Sequence, residues 1–387
     1  MSGLFMMVHR MFDHDLPTGS ALLKVAQICP TFFDDDSVIG GAERYVLELS
    51  RHMSRHVQVS MITFSRSLPR LIVERDADLE IRRYPAKHFP KGNPANPAAI
   101  AFLRDLSPFD VLHCYGHPQV VTDLSIAFAT IFRKKLFVTD IGGGGVSLSS
   151  YLSKLGIDTR RLVGGFLLLS GYSAQQHAPY LERVRVIYGG VDTEMFRPLE
   201  ITRDRRVLFV GRLISAKGIN YLIEAIDSST PLRIVGRPYD PTYFDLLQGM
   251  AQHRAVEFFT DASDQDLVRE YSSALVTAVP SVHTDIHGNH TSAELLSLVA
   301  LESMACATPV VATRCGALPE VVEHGVTGFV VPPNDPKALR ERIQFLFARP
   351  ETARAMGEAG RARVLREFTW PKVASRCLQA YREVLQP

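Results

Sequence analysis

Two cations and two carboxylates in the second half of the chain have residue types and spacing that could perform chemistry. Arg212 and Lys217 follow an apolar run, a place where two positive charges could bind an anionic group. Taken alone, such a pair is also explained by a solvated turn between a strand and a helix. Glu294 and Glu302 lie among leucines and valines, where a buried carboxylate needs a partner. This apolar setting favours a functional role for the glutamates over two exposed helical acids.

Histidines form a second group of candidates. His113 ends an apolar run, and His117 follows it between a glycine and a proline. Either ring could orient hydroxyl groups or transfer a proton. We favour His117 because its glycine-proline setting keeps it on an exposed loop, whereas His113 is equally well explained as a core histidine. The histidines His283, His287 and His290 share one loop, but their spacing matches no common zinc pattern. We therefore expect no metal site.

The elements that must position these residues alternate along the chain. Short apolar runs, such as Val25–Cys29 and Val57–Phe64, alternate with longer amphipathic stretches such as 42–56. Nearly continuous apolar strands are typical of a parallel sheet covered by helices on both faces. The pattern restarts at Val207, and one predicted helix spans Ser292–Ala307. The sequence therefore predicts an α/β fold of two Rossmann-like, doubly wound domains that face each other across a cleft.

The predicted organisation has four parts: an extension over 1–23, a first domain over 24–190, a second over 191–368, and a C-terminal helix over 369–387 that crosses back to the first domain. Lys and Arg number 43 against 41 Asp and Glu, so nothing favours a dedicated nucleic-acid binder. Five scattered cysteines without a CxxC pair fit a reducing compartment, and we expect a cytoplasmic protein. No apolar run reaches the roughly 18 residues of a membrane helix.

Five stretches match one known family in their order and spacing: Val210–Leu213 with Lys217, Glu294–Glu302 with the run to Ala312, Gly325–Phe329, Gly40–Arg44, and Gly189–Asp192. In these motifs the chain resembles the retaining glycosyltransferases of the GT-B fold, in particular family 4. The resemblance extends over nearly everything from Lys24 to Leu385. It implies an enzyme that moves a sugar from a nucleotide-diphosphate donor, with UDP the expected nucleotide, to an acceptor hydroxyl. It also implies retention of configuration and no metal or other cofactor.

The resemblance assigns roles to individual residues. Glu294 is expected to contact the transferred sugar, and Glu302 to accept hydrogen bonds from the ribose hydroxyls. Arg212 and Lys217 would neutralise the departing diphosphate. Four residues would bring backbone amides to the phosphates: Leu298 and Val299 at a helix start, and Gly40 and Gly41 in the opposite domain.

Some positions depart from the family pattern. Ser297 and Ala317 stand where glycine is usual, and Thr260 replaces another common glycine. The family often has two histidines separated by one residue. Here His113 stands at the position of the first histidine, and Tyr115 replaces the second. These changes alter the local geometry more than the charges, so the predicted donor site is retained, with less certain contacts to the base.

The acceptor and the alternatives stay open. The triplet Asp34, Asp35 and Asp36 is explained by a solvated turn or by an acceptor site for an amino-bearing small molecule or sugar. Other functions for the same fold are a nucleotide-sugar epimerase or hydrolase, a non-catalytic binding module, and a transferase for lipid or polysaccharide precursors at a membrane surface. Membrane contact is not favoured because acids are interspersed among the basic residues of the first domain. The sequence does not indicate the oligomeric state.

Overall fold

The computed structural model describes residues 22–30, 41–93, 95–142 and 145–385. Asp34, Asp35, Asp36 and Gly40 lie outside these residues, as does most of the predicted extension. Within them, the apolar runs form two mostly parallel sheets, each with helices on both faces, and this confirms the predicted fold class.

The sheet of the first domain has the strand order β3-β4-β2-β1-β5-β6-β7-β8. Among the strands that the structure describes in this domain, only β3 runs antiparallel to its neighbour. The strands are β1 (Lys24–Ile28), β2 (Gln58–Ser65), β3 (Ile72–Asp76), β4 (Leu79–Pro85), β5 (Val111–Tyr115), β6 (Lys135–Thr139), β7 (Gly165–Leu168) and β8 (Val184–Val186). The helices are α1 (Gly41–Ser54), α2 (Val120–Phe132), α3 (Leu148–Lys154) and α4 (Gly171–Gln175), with 3-10 turns at Pro90–Gly92, Ala101–Asp105, Thr159–Leu162 and Ala178–Arg183.

The sheet of the second domain is entirely parallel, with the order β11-β10-β9-β12-β13-β14. Its strands are β9 (Asp204–Val210), β10 (Leu232–Val235), β11 (Val256–Phe259), β12 (Ala274–Val279), β13 (Val310–Thr313) and β14 (Gly328–Val331). Its helices are α5 (Ile219–Ala225), α6 (Pro241–Ala251), α7 (Asp264–Ser273), α8 (Leu298–Ala305), α9 (Leu318–Val321), α10 (Pro336–Ala348) and α11 (Pro350–Glu367), and a 3-10 turn spans Ser215–Lys217.

The last helix, α12 (Trp370–Leu385), packs on the first domain. Trp370, Cys377 and Tyr381 are buried in one hydrophobic cluster with Tyr45 and Leu49 of α1. Burial of these large side chains is the main stabilising contribution to this contact, because each removes apolar surface from water. The end of the chain is therefore part of the core of the first domain.

The structure also corrects one predicted element. The helix expected over Ser292–Ala307 begins only at Leu298, because Ser297 is extended and its hydroxyl caps the helix by accepting from Ala300 N at 3.3 Å. Glu294 therefore lies in the loop before α8, and Glu302 lies inside the helix. In the part of the chain that the structure describes, no helix has both the length and the apolar character to cross a bilayer.

Candidate active site

The predicted diphosphate cations lie after β9, at the carboxyl edge of the second sheet. Arg212 is exposed and comes two residues after β9 ends at Val210, and Lys217 lies in the Ser215–Lys217 turn. Gly218 ends this turn at φ +63°, and a Cβ there would stand 2.2 Å from the carbonyl oxygen of Pro280. Only glycine fits this close backbone approach without displacing the turn. The turn that carries Lys217 is thereby held against the end of β12.

Glu294 and Lys217 form an ion pair at the carboxyl edge of the second sheet. Lys217 Nζ donates to Glu294 Oε1, and Ser281 Oγ donates to the same oxygen at 2.7 Å. Burial would raise the pKa of Glu294, but Lys217, Ser281 and the charge of Arg212 together hold it below its usual value. The carboxylate is thus ionised and has a second oxygen for a ligand hydroxyl.

The backbone of Glu294 is held as firmly as its side chain. Ala317 N donates to Glu294 O at 2.7 Å, and a Cβ on Gly316 would stand 2.1 Å from that carbonyl oxygen. Gly316 also has φ +56°, a conformation that glycine adopts readily. Ala317 thus makes its contact through the backbone, which explains why this place does not need the family's usual glycine.

Glu302 is paired across the cleft with a residue of the first domain. Arg44 Nη1 lies 3.4 Å from Glu302 Oε1, while its Nη2 lies 2.6 Å from Asp264 Oδ1. Tyr271 OH donates to Glu302 Oε2 at 2.9 Å. Burial raises the pKa of Glu302, and the Arg44 charge and the Tyr271 hydrogen bond offset only part of this rise. Arg44 therefore connects α1 to both α7 and α8.

The predicted amide groups lie next to this pair. Leu298 and Val299 are the first two residues of α8, so their N–H groups have no hydrogen-bond acceptor within the helix. Gly41, the first residue of α1, faces the same place, since a Cβ on it would stand 3.8 Å from Leu298 Cδ1. The starts of two helices from opposite domains thus meet at one point, and helix starts favour anions.

The structure separates the two histidine candidates and corrects one of them. His113 is fully buried, its Nε2 lies 2.8 Å from Thr139 Oγ1, and Tyr381 OH lies 2.6 Å from its Nδ1. Burial lowers the pKa of His113 to about 3, so the ring is neutral. Because both ring nitrogens have protein partners and no atom reaches the cleft, His113 is a core histidine. Tyr115, in the place of the family's second histidine, is also buried and donates to Gln27 Oε1 at 2.6 Å.

His117 is only partly buried and lies in the loop after β5. Its Nε2 lies 3.2 Å from Thr159 Oγ1. Burial lowers the pKa of His117, with an opposing contribution from the nearby carboxylate of Asp123. The ring is thus the one of the two that a ligand in the cleft could still contact, and its catalytic role remains a prediction.

The loop with three histidines is organised by an aspartate. Asp285 Oδ1 accepts from the backbone N–H groups of His287 and Asn289, each at 2.9 Å. Its Oδ2 accepts from Ser215 Oγ at 2.8 Å, which ties the loop to the turn of Lys217. Among the described residues, no three His, Cys, Asp or Glu side chains are grouped so that they could hold a metal ion.

Sequence reasoning missed the residues that join the two domains. Arg44 belongs to a stretch that matches the family, but its pairing with Glu302 was not predicted. Glu320 of α9 also joins the domains, because its carboxylate accepts from Gly171 N at 2.7 Å and Tyr172 N at 2.6 Å in the first domain. The available signal for Arg44 was a charged residue inside a stretch that matches the family.

Comparison with solved structures defines the class of fold. Sucrose-phosphate synthase from Thermosynechococcus elongatus superposes with a TM-score of 0.70 at 22% identity, covering 94% of this chain and 99% of that one. Anabaena Alr3699/HepE, solved in complex with UDP and glucose, has a TM-score of 0.71 at 16% identity, covering 93% of this chain and 100% of that one. The fold is that of the GT-B glycosyltransferases.

Sequence comparison gives the family. Residues 191–363 match "Glycosyl transferases group 1", and residues 39–195 match "Glycosyltransferase Family 4". Alpha-maltose-1-phosphate synthase of Mycolicibacterium smegmatis is 32% identical over 70% of this chain and 74% of its own length. A D-inositol 3-phosphate glycosyltransferase of Saccharomonospora viridis is 31% identical over 53% of this chain and 51% of its own length. The chain belongs to the family 4, group 1 glycosyltransferases, as its motifs predicted.

Proposed function

We propose that this glycosyltransferase moves a sugar from a nucleotide-diphosphate donor, UDP-linked, to an acceptor hydroxyl with retention of configuration. The observation that carries the proposal is the buried, ionised Glu294 held by Lys217 at the strand edge where Arg212 also lies. A fixed carboxylate beside two cations matches what a sugar diphosphate needs: hydroxyl contacts on one side and compensation of developing phosphate charge on the other. Anabaena Alr3699/HepE, which shares the fold, was solved with UDP and glucose, and this makes UDP the first nucleotide to test.

The donor would lie between the two domains. Arg212 and Lys217 would neutralise the diphosphate in place of a metal ion, and the amides of Gly41, Leu298 and Val299 would contact its oxygens. Gly40 would extend this contact. Glu302 would accept hydrogen bonds from the two ribose hydroxyls, which suits its position about one turn inside α8 rather than at the helix start.

The acceptor would enter from the first domain, past His117. As the bond between the anomeric carbon and the phosphate oxygen breaks, the acceptor oxygen bonds to that carbon on the same face. Its proton passes to the departing phosphate oxygen, and His117 would orient the sugar hydroxyls. Asp34, Asp35 and Asp36 would favour an amino-bearing acceptor, and neutral acceptors that outperform amino-bearing ones would contradict that preference.

A thermal-shift panel of UDP, GDP, ADP and dTDP tests the donor. A nucleotide present at 100 times its Kd should stabilise the protein by about 2.7 kcal/mol. We expect UDP to give the largest shift and Glu302→Gln to lose most of it. Glu358→Gln, an exposed acid on α11, is the matched control and should keep the full shift. The proposal for the donor fails if no nucleotide or intact nucleotide sugar shifts the wild type.

The reaction itself requires a separate readout. With a UDP-sugar and candidate acceptors, NMR of the product should show the donor's anomeric configuration. Glu294→Gln should lose transfer while UDP still stabilises the variant, because Glu294 is assigned to the sugar and not to the nucleotide. Release of free sugar at the same rate with and without every acceptor would instead identify a hydrolase.

A further inference from the structure

The first domain carries a surface whose exposed side chains the transfer reaction does not explain. Six large apolar side chains, each between 52% and 75% exposed, lie in two adjoining segments: Leu148, Tyr151, Leu155, Ile157, Leu162 and Leu181. We call this set the apolar patch. Single exposed apolar residues are ordinary, whereas five within fifteen residues of sequence indicate a surface that meets an apolar partner.

The backbone beneath the apolar patch is held in place, so the exposure is not the result of a loose segment. Ser149 N donates to Asp123 Oδ2 at 2.8 Å, and Ser149 Oγ lies 2.6 Å from Thr159 Oγ1. Tyr180 OH donates to Asp158 Oδ2 at 2.7 Å, which joins the segment of Leu181 to the rest. The polar groups are thus turned inward to one another.

The most exposed part is a turn after α3. Leu155 and Ile157 flank Gly156, which has φ +77° and open space around the place of its Cβ. The turn therefore projects two apolar side chains away from the domain. A projecting apolar turn can enter the outer layer of a bilayer without any change in the fold.

Basic side chains surround these apolar ones. Lys154, Arg161 and Arg183 are exposed, and Lys154 Nζ lies 5.7 Å from the ring centre of Tyr151. Of the two acids in these segments, Asp158 is paired with Arg160 at 2.7 Å, whereas Glu182 is exposed and forms no ion pair with any residue that the structure describes. The side chains beside the apolar patch in these two segments therefore carry a net positive charge, with Glu182 as the one acid outside an ion pair among those described.

We propose that the apolar patch docks the protein on the surface of an anionic lipid bilayer. Leucine, isoleucine and tyrosine side chains beside lysine and arginine suit the boundary between acyl chains and anionic headgroups. A second copy of the chain fits less well, because a two-fold interface would bring the same basic surface of both copies together. Thr159 lies both behind this surface and against His117, at 3.2 Å. The bilayer would thus adjoin the acceptor side of the cleft, a consequence that rests on the proposed function.

Co-sedimentation of the full chain with vesicles tests the docking without any donor. Wild type should bind vesicles of phosphatidylcholine with 30% phosphatidylglycerol (about one lipid in three), and bind pure phosphatidylcholine and high-salt samples much more weakly. Leu155→Ser with Ile157→Ser should weaken binding by about tenfold or more. Lys154→Glu should weaken it by about fivefold or more. Matched controls on the second domain are Ile201→Ser with Leu365→Ser, and Lys337→Glu, which should bind as wild type does.

Two results would overturn the docking proposal. One is that wild type does not bind anionic vesicles. If ultracentrifugation then shows a dimer that Leu155→Ser dissociates, the apolar patch is an interface between two copies of the chain instead. The other is equal loss of vesicle binding in the control variants. Nucleotide-induced stabilisation, measured on the same proteins without vesicles, should be unchanged in every variant, so failure of the docking and failure of the donor assignment are distinguishable.

Discussion

Replacement of Arg44 by glutamine should weaken nucleotide binding even though Arg44 lies in the domain opposite Glu302. Glutamine removes the cation that lies 3.4 Å from Glu302 Oε1 and 2.6 Å from Asp264 Oδ1. Glu302 is almost fully buried and keeps only the hydrogen bond from Tyr271. A carboxylate left in that setting without its cation is harder to ionise and less well oriented.

The size of the effect follows from partial exposure. Loss of one partner of a fully buried ion pair costs about 3–5 kcal/mol, but the Arg44 side chain is 28% exposed, so water compensates part of the loss. We expect the free energy of nucleotide binding to weaken by about 1–2 kcal/mol, which is about fivefold to thirtyfold in Kd.

The pH dependence gives a sharper signature. Under the proposed function, ribose hydroxyls would donate to the ionised form of Glu302, whose pKa burial already raises. Binding should therefore weaken as the pH falls through that raised pKa. Without the Arg44 charge the pKa rises further, so the weakening should begin at a higher pH in Arg44→Gln than in wild type.

Isothermal titration with UDP over a series of pH values from about 5 to about 8 measures both effects. Arg51→Gln is the matched control, since Arg51 lies on the same helix α1 and pairs with Glu48 and Asp76 outside the cleft. Equal Kd values and equal pH profiles for the two variants would refute the reasoning. Tighter UDP binding by Arg44→Gln would also refute it, because Arg44 would then compete with the ribose.

Two further predictions concern buried groups. Lys217→Met should leave Glu294 buried without its cation, lowering the free energy of unfolding by about 1–3 kcal/mol and abolishing transfer; full activity in a sugar-transfer assay would contradict the assignment. His113→Asn should lose stability but keep the pH profile of turnover, since His113 touches only core groups. Its pKa of about 3 is depressed, so in wild type it contributes stability that is present above pH ~6.5 and lost as the pH falls towards 3. Acid unfolding of His113→Asn should therefore be less steep in this window, and an altered turnover profile would show that His113 acts in catalysis.

Local patterns were sufficient for the fold class and for much of the donor site. Continuous apolar runs such as Val207–Val210 are typical of strands covered on both faces, and in a chain where they alternate with amphipathic stretches they favour a parallel sheet. The β3-β4 hairpin was missed because β3 is largely exposed and lacks an apolar run. Helix α8 was predicted too long because apolar residues continue before it, while its true start depends on the cap at Ser297.

The sequence by itself determined the two-domain fold, the family, and the identity of Arg212, Lys217, Glu294 and Glu302 as candidates, because these depend on residue order and local spacing. Tertiary structure alone decided which groups are partners. Tyr381, 268 positions beyond His113, places that histidine in the core, and Arg44, 258 positions before Glu302, reaches it across the cleft. The physical reason is that burial and charge pairing depend on distances in space, and no local period or propensity encodes a contact between such distant segments.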